Sequence, residues 1–226
     1  MFQSFDDLSD PSCGAPRAAL LRAELARLGL DGFLIPRADA HQGEYVPPND
    51  CRLQWLTGFT GSAGVAAILG DEASIFVDGR YTIQVRDQVD LEVFAARHLI
   101  NEPVSEWLKE NLRPGQKLGI DAMLHTVREV RRLQTVCEEA GAELVTLDKN
   151  PVDAVWEDRP AAPVGQVALY PLELAGKASA DKISEIQAVL AEKKADACVL
   201  TQPDSIAWLF NIRGSDVDHT PLPLSF

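Results

Sequence analysis

Three observations in this 226-residue sequence predict an α/β fold. Helix-periodic and strand-like segments alternate along the chain, which is the pattern of a sheet covered by helices. The stretch 157–166, "EDRPAAPVGQ", is rich in proline and small residues and divides that alternation in two. The order of motifs before this stretch also recurs after it.

The elements follow in order. "APRAALLRAELARLGLDG" is a helix: Pro16 suits its first turn, Leu21, Leu25 and Leu28 form a stripe, and Gly29 can end it. "GFLIP" is a short buried strand, and "HQGEYVPPNDCR" is a loop with turn chemistry. "GVAAIL" and "SIFVD" read as a strand pair joined by "GDEA". Gly79 then turns the chain into a helix, "RYTIQVRDQV". "LEVFAA" is a strand, "EPVSEWLKENL" a helix, and "PGQKLGID" a turn and strand. "HTVREVRRLQTVCEEAG" is a helix with Val127, Val130, Leu133 and Cys137 on one face, and "AELVTL" is the strand after it. Beyond the linker, "ADKISEIQAVLAEKK" is a helix with Ile183, Ile186, Val189 and Leu190 on one side, followed by a strand, "ADACVL".

The repeat aligns "LARLGLDGFLIPRAD…LQWLTGFTGSAG" with "LAEKKADACVLTQPD…IAWLFNIRGSD". Asp31 then matches Asp196, Asp39 matches Asp204, Trp55 matches Trp208, Gly61 matches Gly214 and Ser62 matches Ser215. Two related domains in tandem are expected: residues 1–156 as the first, 157–166 as the linker, and 167–226 as the opening part of the second. The first copy continues into further strands and helices. The second has no such continuation, so the sequence reads as a fragment of a longer protein, and Leu222–Phe226 reads as the start of a buried strand.

Composition narrows the function classes. Hydrophobic residues make up 46% of the chain, enough for a sizeable core. A formal net charge of −13 argues against a nucleic-acid or anionic-membrane surface. Cys13, Cys51, Cys137 and Cys198 are scattered without a C-x-x-C pair, which fits reduced thiols in a cytoplasmic protein. No apolar run approaches the roughly 20 residues of a membrane span.

Catalytic signatures such as H-E-x-x-H, G-x-S-x-G and a Walker loop are absent. "GFTGSAG" has its glycines at 58, 61 and 64, the spacing of a tight turn and not of a dinucleotide loop. Asp39, His41 and Glu44 offer oxygen and nitrogen ligands, but without a fourth they read as hydrogen-bonding loop residues. Asp216, Asp218 and His219 read as a polar turn in which Asp216 accepts backbone N–H bonds and Pro221 fixes the exit. "VDGRY" leaves two readings open for Arg80. It is either a fork for a carboxylate or peptide carbonyl at a helix start, or the partner of Asp78 in a surface ion pair.

Four motifs, "IPRADAHQGEY", "CRLQWLTGFTGSAG", "FVDGRYTIQV" and "WLFNIRGSDVDHTPLPLSF", together resemble the cytosolic, three-domain aminopeptidase P group of the creatinase/prolidase "pita-bread" proteins. The resemblance covers nearly the whole chain. It implies a creatinase-like mixed sheet flanked by helices, then an incomplete second domain of the same kind. It further implies a parent enzyme that removes the N-terminal residue from peptides with proline second. The catalytic domain, absent from this chain, would use two divalent metal ions, with manganese expected. No catalytic residue, metal ligand or cofactor is then expected within the 226 residues. Arg80 matches the family arginine that contributes to substrate binding, and His41 and Tyr45 are weaker candidates in a matching motif. The implied partners are the peptide substrate, the protein's own C-terminal catalytic domain and a second copy in a homodimer, with no nucleic acid and no membrane. The alternatives are a non-catalytic binding module of the histone-chaperone kind, suited by the acidic charge, or a prolidase or creatinase relative.

Overall fold

The computed structural model describes residues 9–226, which separate into two compact units: 9–38 with 50–160, and 39–49 with 161–226.

The first unit is built on a six-stranded mixed sheet. Helix α1 (Gly14–Leu28) leads into β1 (Gly32–Pro36), and a short helix α2 (Arg52–Thr57) precedes the hairpin β2 (Gly64–Leu69) and β3 (Glu72–Val77). Next come α3 (Gln84–Gln88), β4 (Ala95–His98), α4 (Val104–Asn111), β5 (Lys117–Asp121), α5 (Val127–Ala140), β6 (Glu143–Leu147) and α6 (Pro151–Val155). The strand order is β4-β3-β2-β1-β5-β6. The hairpin pairs are antiparallel, whereas β3–β4, β1–β5 and β5–β6 are parallel.

Both faces of the sheet's centre are covered, and the central strands β1 and β2 are accordingly apolar along their length. Phe33, Ile35, Ile68 and Ile75 pack with Leu21, Leu25, Leu56 and Trp156 on one side. Leu34, Ala67, Phe76 and Ile120 pack with Trp107, Leu108, Leu133 and Cys137 on the other. Burying each such large side chain contributes about 1.5–3 kcal/mol. Helix α5 begins with a capping box, in which Thr126 accepts from the Glu129 amide and Glu129 bonds back to the Thr126 amide.

Several expected elements differ. Leu28 is 39% exposed, because Gly29 (φ +70°) turns the chain and Leu30 takes the core position instead. Val127, the first residue of α5, is 67% exposed, and the buried face is Leu133, Val136 and Cys137. The helix expected over 80–89 is a single 3-10 turn, Gly79–Tyr81, followed by the short α3. The strand expected at 91–96 begins only at Ala95. Asp90 first folds the chain into a turn, accepting from the amides of Glu92, Val93 and Phe94.

The second unit has little sheet. It contains β7 (Ala168–Leu169), α7 (Leu172–Ala175), α8 (Ser179–Glu192), α9 (Pro203–Phe210) and β8 (Ile212–Arg213), with β7 and β8 paired antiparallel. The strand expected at "ADACVL" is absent: residues 195–200 have no regular structure, and Val199 is 86% exposed. A strand has no hydrogen bonds of its own and forms only where a neighbour supplies them. Leu222–Phe226 is not a strand either. It is held by Asp216, whose carboxylate accepts from the amides of Gly165 (2.7 Å) and Leu224 (2.8 Å). Lys182 is buried and caps α9 from beside it, donating to the Trp208 carbonyl and the Asn211 side chain, each at 2.6 Å.

Candidate functional site

Strand β3 ends at Val77, and the next four residues form the site. Asp78 caps the 3-10 turn through its Oδ1, which accepts from the Arg80 amide at 2.9 Å. The same carboxylate takes the Arg80 guanidinium side-on, from Nε at 3.2 and 3.1 Å and from Nη2 at 2.7 Å. The side-chain hydrogen bonds from Arg80 above all hold the Asp78 carboxyl's pKa below its ordinary value, against the opposing effect of burial. The Arg80 side chain is 66% exposed and lies over the Tyr81 ring, with 5.1 Å from guanidinium carbon to ring centroid. A three-residue 3-10 turn is too short to act as a helix terminus, so whatever anion attraction exists here resides in the guanidinium itself.

A polar network adjoins this turn. The Tyr81 hydroxyl and Ser62 Oγ are 2.6 Å apart, and that bond lowers the tyrosine pKa. Gln88 Oε1 accepts from the Thr60 amide, the Thr60 hydroxyl and the Gln84 side chain at 2.9–3.0 Å. The loop 58–64 and the turn 78–81 therefore form one surface at the same end of the β2–β3 hairpin. Sequence spacing did not assign Ser62 and Tyr81 to it. The available signal was the pair of polar motifs flanking an antiparallel hairpin, since Gly64 pairs with Val77.

His41 and Tyr45 lie in the second unit, separate from Arg80's unit. Asp39 is fully buried and organises their loop, with Oδ1 accepting from the amides of His41 (3.1 Å) and Gly43 (2.9 Å). The His41 ring stacks on Phe226 at 4.2 Å and lines an open cleft of about 450 Å³ with Gln42, Leu200, Thr201 and Ser205. Tyr45 is half exposed, edge-on to His219 at 6.5 Å.

Asp216, like Asp39, serves the backbone around it. Both oxygens of Asp216 are engaged by backbone amides. Among the described residues, no three His, Cys, Asp or Glu side chains are gathered as a metal ion requires. Also among the described residues, no helix is long and apolar enough to cross a membrane.

Comparison with known proteins gives a consistent set of similarities. A family model described as the creatinase/prolidase N-terminal domain matches residues 17–155, and a second model of the same description matches 158–226. A probable Xaa-Pro aminopeptidase P of Ajellomyces dermatitidis is 39% identical over 209 residues, covering 91% of this chain and 34% of that protein. The corresponding protein of Coccidioides posadasii is 38% identical over the same shares. The chain thus spans about a third of the length of the curated relatives it matches. The crystal structure of an X-prolyl aminopeptidase from Caenorhabditis elegans, described as a cytosolic enzyme with a di-nuclear active site, superposes with a TM-score of 0.85. It is 31% identical over 92% of this chain and 36% of that one.

Proposed function

This chain belongs to the creatinase/prolidase N-terminal domain family, and from that premise we propose that it is the non-catalytic N-terminal part of a Xaa-Pro aminopeptidase. The parent enzyme removes the first residue from peptides with proline second. One observation carries the reading: two creatinase/prolidase N-terminal matches stand in tandem in a chain that is 39% identical to a Xaa-Pro aminopeptidase P over 91% of its length.

In this reading residues 1–156 are the first domain, 157–166 the linker and 167–226 the start of the second. Catalysis belongs to a C-terminal domain that holds two divalent cations, with manganese as the expected metal. In this reading no chemical step is assigned to this chain. Its share is recognition. Arg80 presents an exposed guanidinium that can meet a carboxylate or carbonyl of the peptide beyond its second residue. His41 and Tyr45 are secondary candidates for substrate contact from the second unit. The parent is expected to be a cytoplasmic homodimer to which this region contributes contacts.

The test has two parts. The 226-residue chain supplied with manganese should give no turnover of a peptide with proline second, and the full-length protein should cleave it. Turnover by the chain alone would overturn the assignment. In the full-length protein, Arg80→Ala should lower kcat/KM about tenfold or more, the scale for losing a charge-assisted hydrogen bond to substrate. An unchanged kcat/KM for short and long peptides would remove Arg80 from the site.

A further inference from the structure

The loop 58–64 and the turn 78–81 are joined by one chain of contacts that ends on Arg80. Phe59 is buried in the core, and Gly61 curls over its ring. A Cβ on Gly61 would sit 2.2 Å from the ring's Cζ, so the loop closes down only because residue 61 is glycine. That closure brings Ser62 Oγ within 2.6 Å of the Tyr81 hydroxyl. The Tyr81 ring stands edge-on to Phe59, with centroids 5.6 Å apart and planes at 84°. Tyr81 is thus fixed at its edge by a core residue and at its tip by Ser62. The Arg80 guanidinium then lies over this ring at 5.1 Å, with Asp78 holding Nε and Nη2 from another side.

We propose that Ser62 and Tyr81 are positioning residues for Arg80: they hold the ring on which the guanidinium rests, so the fork is oriented before a peptide carboxylate or carbonyl arrives. The inference rests on the reading of Arg80 as a peptide contact. A long exposed side chain ordered only on binding loses affinity to that ordering, and one already held loses less. The effect therefore falls on substrate binding and not on the chemical step.

The experiment uses the full-length enzyme with short and longer peptides that carry proline second. It measures kcat, KM and melting temperature for Arg80→Ala, Tyr81→Phe, Ser62→Ala and Ser62→Thr, and for Tyr81→Phe combined with Arg80→Ala. Tyr81→Phe and Ser62→Ala should each raise KM for the longer peptide about three- to tenfold, with kcat within about twofold and the melting temperature nearly unchanged. Ser62→Thr should retain the parent KM because it keeps the hydroxyl. Tyr81→Phe should add nothing once Arg80 is alanine. If Arg80→Ala raises KM while Tyr81→Phe and Ser62→Ala leave it unchanged, or if the effects simply add, the positioning role is overturned. A lower melting temperature with unchanged KM overturns it as well, because it marks a purely structural bond. If Arg80→Ala itself leaves KM unchanged, the peptide-contact reading fails and the positioning role fails with it.

Discussion

In the first copy of the internal repeat, α1 is followed by β1, α2 and β2. In the second copy, α8 is followed by an extended segment, α9 and β8. The helices match in both copies, including the one that carries the Trp-Leu pair. The strands do not. β1 is hydrogen-bonded to β2 on one side and β5 on the other, whereas 195–200 has no strand paired with it among the described residues. Trp55 is 8% exposed and stacked on Trp156 at 5.5 Å, while its counterpart Trp208 is 51% exposed. Helices satisfy their own backbone and so form from local sequence, but a strand needs neighbours. The difference between the copies is therefore one of pairing and burial more than of local sequence.

Hydrogen exchange should show the largest contrast. Amides of Phe33–Ile35 should exchange only through global opening, at least about a thousandfold more slowly than those of Ala197–Leu200. Comparable protection at both would mean that the second copy also has a paired strand, and would erase the distinction.

Tryptophan truncation sharpens it residue by residue. Trp55→Ala should cost about 3–5 kcal/mol, the usual price of emptying an aromatic core position. Trp208→Ala should cost about 1 kcal/mol or less, measured by denaturant unfolding of the same chain. Equal losses would show that Trp208 is packed as tightly as Trp55.

An ion cluster gives the first unit a further anchor. Arg52 is buried at the start of α2, 2.8 Å from Asp50 and 2.7 Å from Asp153, and Arg159 reaches both acids at 3.4 and 2.9 Å. Burial disfavours the Arg52 charge, but the hydrogen bonds that Arg52 donates to Asp153 and the field of both acids outweigh it and raise its pKa. Arg52→Ala leaves two carboxylates without their central partner and should cost about 3 kcal/mol. A loss under about 1 kcal/mol would show that the cluster behaves as a solvated surface network.

The smallest effect is pH-dependent. Burial pushes the His125 imidazole pKa below its ordinary 6.5, against the opposing fields of Glu129 and Asp121, and its buried Nε2 has no hydrogen-bond partner among the described residues. The unfolded chain therefore takes up the proton first as pH falls below 6.5. Stability should decline through that window and level off once the folded form is protonated too. His125→Gln should flatten this slope, and an unchanged slope would assign the dependence to another group. Cys137, in the same unit, is also buried, which lifts its thiol to about 11 and leaves it neutral throughout this range.

Legibility followed the same physics. Helix α5 could be read from the Val130, Leu133 and Cys137 stripe because helical periodicity is local, and α1 could be read up to Gly29 because a glycine stop is local too. Helix α2 was not anticipated: six residues between turns carry too little periodicity. "LEVFAA" looked like a strand by composition, but the Asp90 turn delays pairing until Ala95. At the site, the motif around Arg80 and its pairing option with Asp78 were visible in five letters. The contact of Tyr81 with Ser62 was not, because it depends on a hairpin register that joins residues 19 apart.

The sequence by itself determined the α/β class, the longer helices α1, α4, α5 and α8, and the Asp78–Arg80 motif, since each depends on periodicity or pairing among residues within a few positions of one another. Tertiary structure alone decided which strand-like segments became strands, which tryptophan was buried, and that Ser62 supports the ring beneath Arg80. Each of those outcomes depends on a partner far away in the chain, and its backbone and side-chain groups gain free energy only when that partner is in place.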